Sequence, residues 1–357
     1  MNLNICLQRV GIVLAFMTLS VSVRAQHFKL KKFSEEDLDF FLLTGKTPAE
    51  KQINTFLHGA ELHSLPGKYK QSPFESIRPA AGSNQGVTGL RYTVLNNTSQ
   101  IFSVEVNGEY SSASLNEYGH VYNFDASTGK LIKFRDLLTD AGYEAINKIV
   151  ISNRKKRLSA YLKNMKDVTG GYKAVYTTYS ECLRDMEGDE LNDDDLKFQK
   201  EGLLLIRRSC SGQHYFQALE DKADVYNNRL TLKSLEPYLN AYGKCLLLTK
   251  NANCTPTIAK GFHEGLYTGK INHQYAITLV IDRIYKDRIY ASYYYDKVGK
   301  EINLRCSMEK GQLKMKEDNM DGKENNSSAT FQLSLPSNGK MTGIWSNGKN
   351  TYPVELQ

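Results

Sequence analysis

The C-terminal part of the chain alternates apolar and polar residues with a period of two, as half-buried β-strands do. In residues 275–281, for example, Tyr275, Ile277, Leu279 and Ile281 would share one face of a strand. This alternation and the turn dipeptides between the segments predict eight short strands, near 265–271, 274–282, 287–295, 300–307, 311–317, 328–335, 339–346 and 351–356. Short connections imply antiparallel neighbours, so we expect the strands to close into a small barrel or to form a sandwich.

The part of the chain before these strands mixes helix and strand patterns. Residues 27–65 are predicted to form two helices, which begin at the capping residues Ser34 and Thr47, with Pro48 at the first helical position of the second. A long helix with an apolar period of 3.6 residues is predicted from near Asp140. Further strands are predicted at 89–95, 100–108, 121–125, 198–207 and 245–248.

Together these patterns predict an α+β fold in two domains. An α+β domain with an antiparallel sheet and packed helices is expected at 26–254, and a β-barrel-like domain of about eight strands at 255–357. A length of 357 residues is compatible with two domains.

The first 25 residues have the pattern of a secretory signal peptide rather than of a folded element. Arg9 supplies a positive charge, residues 10–21 are mostly apolar, and Val23 and Ala25 are small residues before a cut at Gln26. We therefore expect cleavage after Ala25 and a secreted or periplasmic protein. No other long apolar run occurs, so no membrane span is expected after the signal is removed.

Composition and charge exclude some classes of protein and change the partners to be expected. With 41% hydrophobic and 10% aromatic residues the chain is not of the disordered class. Its formal charge of +7 falls to +5 when Arg9 and Arg24 leave with the signal peptide. So small an excess does not argue for nucleic acid as a partner. The basic run at 154–157 is interpreted as the solvated face of a helix.

Five cysteines follow the signal peptide, and an oxidising compartment would allow them to form disulfides. Cys245 and Cys254 are close in sequence, and Cys182 and Cys210 flank an acidic loop, so we predict these two pairings. Cys306 would then be the unpaired cysteine. Because no Cys or His spacing typical of a zinc site occurs, neither a metal nor a cofactor is expected.

Catalytic motifs are absent from the sequence. It contains no H-E-x-x-H, no G-x-S-x-G, no phosphate-binding loop and no G-x-G-x-x-G after a strand. His120 and Asp125 are an odd number of residues apart, so a regular strand would place them on opposite faces. The acidic residues at 187–195 do not have the spacing of an EF-hand and are interpreted as a solvated loop.

The tyrosines are the strongest indication of a binding surface. The predicted β domain concentrates aromatic residues, and exposed aromatic rings stack on sugars and anchor protein partners. Alternation would place Tyr293 and Tyr295 on one face of a strand and Tyr290 and Tyr294 on the other. The candidate ligand-binding residues are Tyr290, Tyr293, Tyr294, Tyr295, Trp345 and His120. The alternative is that these rings fill the barrel or cover its outer face.

Two stretches of the chain resemble known families. Residues 117–120, 122–125, 128–130 and 136–138 (EYGH, YNFD, TGK and DLL) resemble an uncharacterised domain of extracytoplasmic bacterial proteins. That domain occurs in the lysozyme-sensing anti-sigma factor of Gram-positive bacteria and before the catalytic part of some peptidoglycan deacetylases.

The C-terminal segments YTG, YYYDK, GIW and YPV resemble a β domain common at the ends of secreted bacterial proteins. The two resemblances imply an envelope or secreted role, and they supply no catalytic residue.

Three functions are compatible with the sequence. The first is a non-enzymatic secreted or periplasmic envelope protein that binds peptidoglycan, another glycan or an envelope protein. The second is a secreted hydrolase with an unrecognised site, which would use His120, His214 or acids of the loop at 185–195. The third is a carrier of a small apolar ligand in the barrel.

Overall fold

The structure, a computed structural model, describes residues 27–165, 172–186, 191, 195–207, 224–249, 254–256, 262–285, 288–318, 328–334 and 340–357. The predicted signal peptide, His214, Cys210 and most of the acidic loop lie outside the described residues. The architecture is mixed α+β, as the sequence predicts, and it ends in a closed antiparallel barrel. Within the described part of the chain, no helix is long and apolar enough to cross a membrane.

A five-stranded sheet and one helix pack against each other as the first two layers of the fold. The strands, in the order β1-β2-β3-β4-β5, are Leu30–Glu35, Leu38–Leu43, Gly86–Asn97, Ile101–Ser111 and Leu115–Asp125. All neighbours are antiparallel except β2 and β3, which are joined by a single parallel pair. Helix α1 (Pro48–Leu62) packs its apolar stripe, which includes Ile53, Phe56 and Leu57, into the same core as the sheet.

Helix α1 begins and ends where its sequence requires. Thr47 and Glu50 form a capping box, in which each side chain bonds the other's main-chain N–H, and Pro48 occupies the first turn. The helix ends at His63, whose left-handed backbone (φ 54°) breaks the helical path. The second helix predicted in residues 27–65 is therefore confirmed.

The first helix predicted in residues 27–65 is wrong, because that segment is the hairpin of β1 and β2. The turn is made at Glu36, which has φ 54°. Strand β2 buries Leu38, Phe40, Phe41 and Leu43, so both of its faces are covered and its apolar residues do not alternate. A strand buried on both sides lacks the period of two by which strands are recognised.

The middle of the chain forms a second core around two helices and a small sheet. Helices α2 (Asp140–Met165) and α3 (Tyr172–Asp185) pack with strands β6 (Asp195–Gln199), β7 (Gly202–Ile206) and β8 (Asn228–Thr231). Short helical segments follow at Leu232–Leu235, Glu236–Tyr238, Ala241–Lys244 and Cys245–Thr249.

Two interpretations of this region are corrected. Residues 245–248, predicted as a strand, lie in the short helical segment Cys245–Thr249, because Asn240 caps a helical turn through the Gly243 N–H and the chain continues as helix. The basic run 154–157 is not a solvated face throughout: Arg154 is 1% exposed, and its Nε donates to the Tyr226 carbonyl at 2.8 Å.

The C-terminal barrel closes through eight antiparallel strands, which confirms the predicted set. They are β9 (Gly265–Ile271), β10 (Tyr275–Tyr285), β11 (Arg288–Tyr295), β12 (Glu301–Glu309), β13 (Gln312–Glu317), β14 (Thr330–Ser334), β15 (Met341–Ser346) and β16 (Thr351–Leu356). Inward-facing side chains such as Leu279, Leu313 and Leu333 form its core. An eight-stranded barrel is just wide enough to be filled in this way.

The outer face of the barrel packs on α1. Val280 of β10 and Tyr294 of β11 are buried in the core that α1 shares with the five-stranded sheet. At Gly59 of α1 a Cβ atom would lie only 2.9 Å from a Val280 methyl group, so glycine permits this close approach. We call this contact between α1 and the outer face of β10 and β11 the seam.

Candidate functional site

The run of tyrosines on β11 divides between the two faces of the barrel wall, as the alternation predicts. Tyr293 and Tyr295 pair with Leu279 and Ile277 and face the interior. Tyr294 faces outward into the seam and is fully buried there. Tyr290 also faces outward and is 48% exposed. The four tyrosines therefore do not form one binding surface.

One end of the barrel gathers the inward-facing aromatic residues. Trp345 near the end of β15 pairs with Tyr352 near the start of β16, and their rings are nearly parallel with centroids 5.9 Å apart. Trp345 also pairs across the strands with Phe331. The Phe331 ring contacts Tyr293, whose ring contacts Tyr295, with centroid distances of 5.0 and 5.5 Å. We call Trp345, Tyr352, Phe331, Tyr293 and Tyr295 the aromatic mouth.

The aromatic mouth contains a hydrogen-bond donor, and an acceptor lies beside it. The Trp345 Nε1 atom is buried, and no described residue accepts its hydrogen. The Glu317 carboxylate on β13 accepts from the Tyr293 hydroxyl and, at 3.3 Å, from the Ala329 main-chain N–H. Burial and the neighbouring Glu317 raise the pKa of Tyr293, so this hydroxyl stays protonated and remains a donor.

His120, the other candidate, is not part of the mouth and belongs to a polar cluster against α1. Its Nδ1 donates to Glu61 Oε1 at 2.7 Å, and the Tyr122 hydroxyl donates to the same oxygen at 2.6 Å. Glu61 is only 3% exposed. Burial raises the pKa of Glu61, but the His120 charge and the hydrogen bonds from His120 and Tyr122 outweigh it and hold that pKa below its usual value.

Asp125 is not part of this cluster, as the odd spacing predicts. It lies on the other face of β5, where its carboxylate accepts from the Tyr242 hydroxyl at 2.9 Å and from the Ser127 and Thr128 main-chain N–H groups. Asp125 therefore stabilises the turn after β5.

A second buried carboxyl group, that of Asp282, reaches the seam from the barrel. The pairing of β10 with β11 shifts register between Ile281 and Arg283, so Asp282 is the extra residue of a β-bulge. Its Oδ1 atom is buried and has no hydrogen-bond partner in the described part of the chain. Burial raises the pKa of Asp282 to about 6, although the charges of Arg283 and His120 lower it.

Glu61 and Asp282 are not among the candidate residues of the sequence analysis, although the sequence pattern around each acid indicates a buried polar group. Glu61 continues the buried stripe Ile53, Leu57 of α1 at a spacing of four, where an acid is unexpected. Asp282 ends the apolar run of β10. An acid on an apolar face indicates a buried polar group with a structural or functional reason.

One of the two predicted disulfides is present among the described residues. Cys245 and Cys254 are joined in a disulfide with 5.7 Å between their Cα atoms. Cys182 is also disulfide-bonded, and its predicted partner Cys210 lies outside the described residues. Cys306 is a free thiol in the barrel, and burial raises its pKa to about 12, which makes it unreactive. Among the described residues, no three His, Cys, Asp or Glu side chains form a group that could hold a metal ion.

Comparison with known proteins gives only distant similarities. No family model matches the chain. No curated protein matches it significantly either.

Among solved structures, the chain is similar to a member of the DUF3298 family from Bacteroides fragilis NCTC 9343, with a TM-score of 0.39 and 12% identity over 64% of this chain and 98% of that one. It is also similar to a DUF3298 family protein from Pseudomonas aeruginosa PAO1, with a TM-score of 0.35 and 11% identity over 60% and 94% of the two chains. The finer resemblance, to the anti-sigma factor and deacetylase domain, stays a prediction.

Proposed function

We propose that this protein is a non-enzymatic secreted or periplasmic protein of the bacterial envelope, and that it binds a glycan at the aromatic mouth of its barrel. The observation that carries the proposal is the Trp345 indole N–H, a buried donor for which the described residues provide no acceptor. A buried donor without a partner costs free energy, and a ligand oxygen at the mouth would remove that cost.

The chemistry of the mouth suits a sugar. A sugar ring has apolar C–H faces, which stack on aromatic side chains, and a polar edge of hydroxyl groups. Trp345 and Tyr352 offer partly exposed rings for stacking. The Trp345 N–H can donate to one hydroxyl group, and the Glu317 carboxylate can accept from another. A few converging polar groups beside aromatic side chains are typical of ligand sites.

The choice of an envelope glycan rests on the N-terminal segment and on the cysteines. Residues 1–25 have the pattern of a signal peptide, and a disulfide such as Cys245–Cys254 is typical of proteins outside the cytoplasm. Peptidoglycan is the glycan that such a protein would meet in a bacterial envelope. Cell fractionation, with N-terminal sequencing of the extracytoplasmic protein, tests the location and should find Gln26 as the first residue.

Binding can be measured without a label, because Trp345 is the only tryptophan of the chain. Chito-oligosaccharides and soluble peptidoglycan fragments should change the fluorescence of the mature protein as they enter the mouth, and the mature protein should be retained on insoluble peptidoglycan. A protein whose fluorescence does not respond and which is not retained would rule the proposal out.

Three variants separate binding at the mouth from other surfaces. Trp345→Phe keeps an aromatic ring but loses the N–H, and we expect retention on peptidoglycan to weaken about tenfold, the effect of roughly 1.4 kcal/mol. Tyr352→Ala removes the stacking partner and should weaken binding further. Tyr290→Ala is the control, because this exposed ring lies on the outside of the barrel and should not matter. Retention that depends on Tyr290 and not on Tyr352 would place the site elsewhere.

The structure supports the two alternative functions, an apolar-ligand carrier and a hydrolase, less well. A carrier of an apolar ligand needs an internal cavity, and inward-facing side chains pack the interior of this barrel. A hydrolase could use His120 as a base, since Glu61 orients its ring, but no described serine, threonine or cysteine has a hydrogen bond to His120 as a nucleophile would.

A further inference from the structure

The seam holds two buried carboxyl groups that differ in how they are satisfied. Glu61 of α1 accepts two hydrogen bonds, from His120 and from Tyr122, and keeps its charge. Asp282 of the barrel has a buried Oδ1 atom for which no described residue is a donor. The two elements that carry these acids are held close, because Gly59 lets Val280 approach and Tyr294 donates to the Gly59 carbonyl at 3.0 Å.

Charged groups face Asp282 from each element packed around it. Arg283 follows it on β10, Glu61 faces it from α1, His120 from β5, and Glu264 from the segment before β9. Glu264 is itself engaged, because it pairs with Lys133 and accepts from the Ile284 N–H at 2.9 Å. On the other side of the seam, His63 lies 3.2 Å from Glu301. The Nδ1 atom of His120 is already hydrogen-bonded to Glu61.

A second negative charge at the seam is therefore costly. His120 is hydrogen-bonded to Glu61, so an ionised Asp282 would add a like charge near Glu61 in a buried place without a hydrogen-bond donor for Oδ1. A protonated Asp282 removes the repulsion and most of the cost of burial. Asp282 lies in a β-bulge, where the regular ladder of hydrogen bonds between strands is interrupted. The bulge therefore allows Asp282 to move away from α1.

We propose that the seam is a proton-sensitive contact, in which the barrel packs tightly on α1 while Asp282 is protonated and loosens from α1 when Asp282 ionises. The contact then weakens as pH rises through about 6, the value to which burial raises the pKa of Asp282, and reaches full strength near the ordinary aspartate pKa of 3.8. The proposal does not depend on glycan binding, but it would let the pH of the envelope control how the barrel is held.

Hydrogen–deuterium exchange of the mature protein tests this directly. Amides of α1 and of β10 and β11 are compared at about pH 5 and about pH 7.5, after correction for the intrinsic rate. We expect the opening equilibrium of the seam to increase about tenfold from the lower pH to the higher pH. Amides of α2, which lies in a different core, should change much less.

Two neutral variants show whether Asp282 is the group that titrates. Asp282→Asn and Asp282→Ala should keep the seam closed at both pH values. The matched control is Asp318→Asn, which removes a carboxylate of the barrel that pairs with Arg305 away from the seam and should leave the pH dependence unchanged.

The proposal is overturned by a wild-type seam that exchanges equally at both pH values, or by a pH dependence that persists in both neutral variants. Failure of both variants to fold would also overturn it, because the neutral form of Asp282 is the one that the proposal assigns to the packed state. Loss of glycan binding with a normal exchange pattern would count against the proposed function and not against the seam.

Discussion

Tyr294, on the outer face of the barrel, donates a hydrogen bond to the main-chain carbonyl of Gly59 on α1, with 3.0 Å between the two oxygens. Gly59 lies in the last turn of α1, where carbonyl groups lack partners within the helix. Both residues are buried, so water cannot replace the bond. The barrel thus completes the hydrogen bonding of a helix that belongs to another core.

We expect Tyr294→Phe to lower the free energy of unfolding by about 1–2 kcal/mol, because it leaves a buried carbonyl without its donor while the ring still fills its place. Urea denaturation of the mature protein measures the change. Tyr290→Phe, on the same strand and the same outer face but 48% exposed, is the control and should change stability by less than about 0.5 kcal/mol. Equal effects of the two variants would contradict the role given to Tyr294.

The close approach at Gly59 makes a second prediction. A leucine at this position has no room, since even a Cβ atom would lie 2.9 Å from Val280 and 3.6 Å from the Tyr294 ring. We expect Gly59→Leu to destabilise the protein by about 1–3 kcal/mol through overpacking. In the double variant Gly59→Leu/Val280→Ala, which vacates space, part of the loss should be recovered. Strictly additive effects in this double-mutant cycle would show that the two residues do not press on each other.

The barrel was predictable from the sequence, whereas the first hairpin was not. Strands β9 to β16 bury one face against the barrel core, so alternation and turn dipeptides predict all eight. Strand β2 is covered on both faces, and adjacent Phe40 and Phe41 are both buried, a pattern that a helix also produces. Likewise, the short apolar run at 245–248 has no period long enough to distinguish a strand from a helical turn.

The candidate sites were predictable only in part, for a similar reason. Alternation places Tyr293 and Tyr295 together, because it acts within one strand. The cross-strand pairing of Trp345 with Phe331 and the ring contact of Phe331 with Tyr293 depend on strand order and barrel closure. No local pattern brings Glu61 of α1 near Asp282 of β10, since only the packing of the barrel on the helix does so.

The disulfide of the middle core makes a third prediction. Cys245 and Cys254 are nine residues apart, and closing a loop of this length stabilises a protein by about 2–3 kcal/mol in the chain-entropy model. The variant Cys245→Ala/Cys254→Ala should lose this amount in urea denaturation. The reduced wild-type protein should lose at least this amount, because reduction also breaks the disulfide of Cys182. A variant as stable as the oxidised wild type would contradict this prediction, because it would mean that the unfolded chain gains little conformational entropy when the disulfide is absent.

A fourth prediction concerns His58, a residue of α1 that is buried in its neutral form. Its Nε2 lies 3.0 Å from the Phe41 carbonyl, its Nδ1 has no partner among the described residues, and burial lowers its pKa from 6.5 to about 4. Between these values the unfolded chain binds a proton that the folded protein does not, so the free energy of unfolding falls as pH falls. The expected loss from this residue is about 2 kcal/mol at about pH 5.

Asp282 acts in the opposite direction over almost the same range. Its raised pKa means that the folded protein binds a proton that the unfolded chain does not, so the free energy of unfolding rises as pH falls from about 6 towards 3.8. The two residues therefore offset each other, and the wild-type protein should show little net change from this pair. His58→Gln should become more stable from about pH 7.5 to about pH 5, and Asp282→Asn less stable. Urea denaturation at the two pH values measures this, and identical pH profiles for the two variants would contradict the opposite signs.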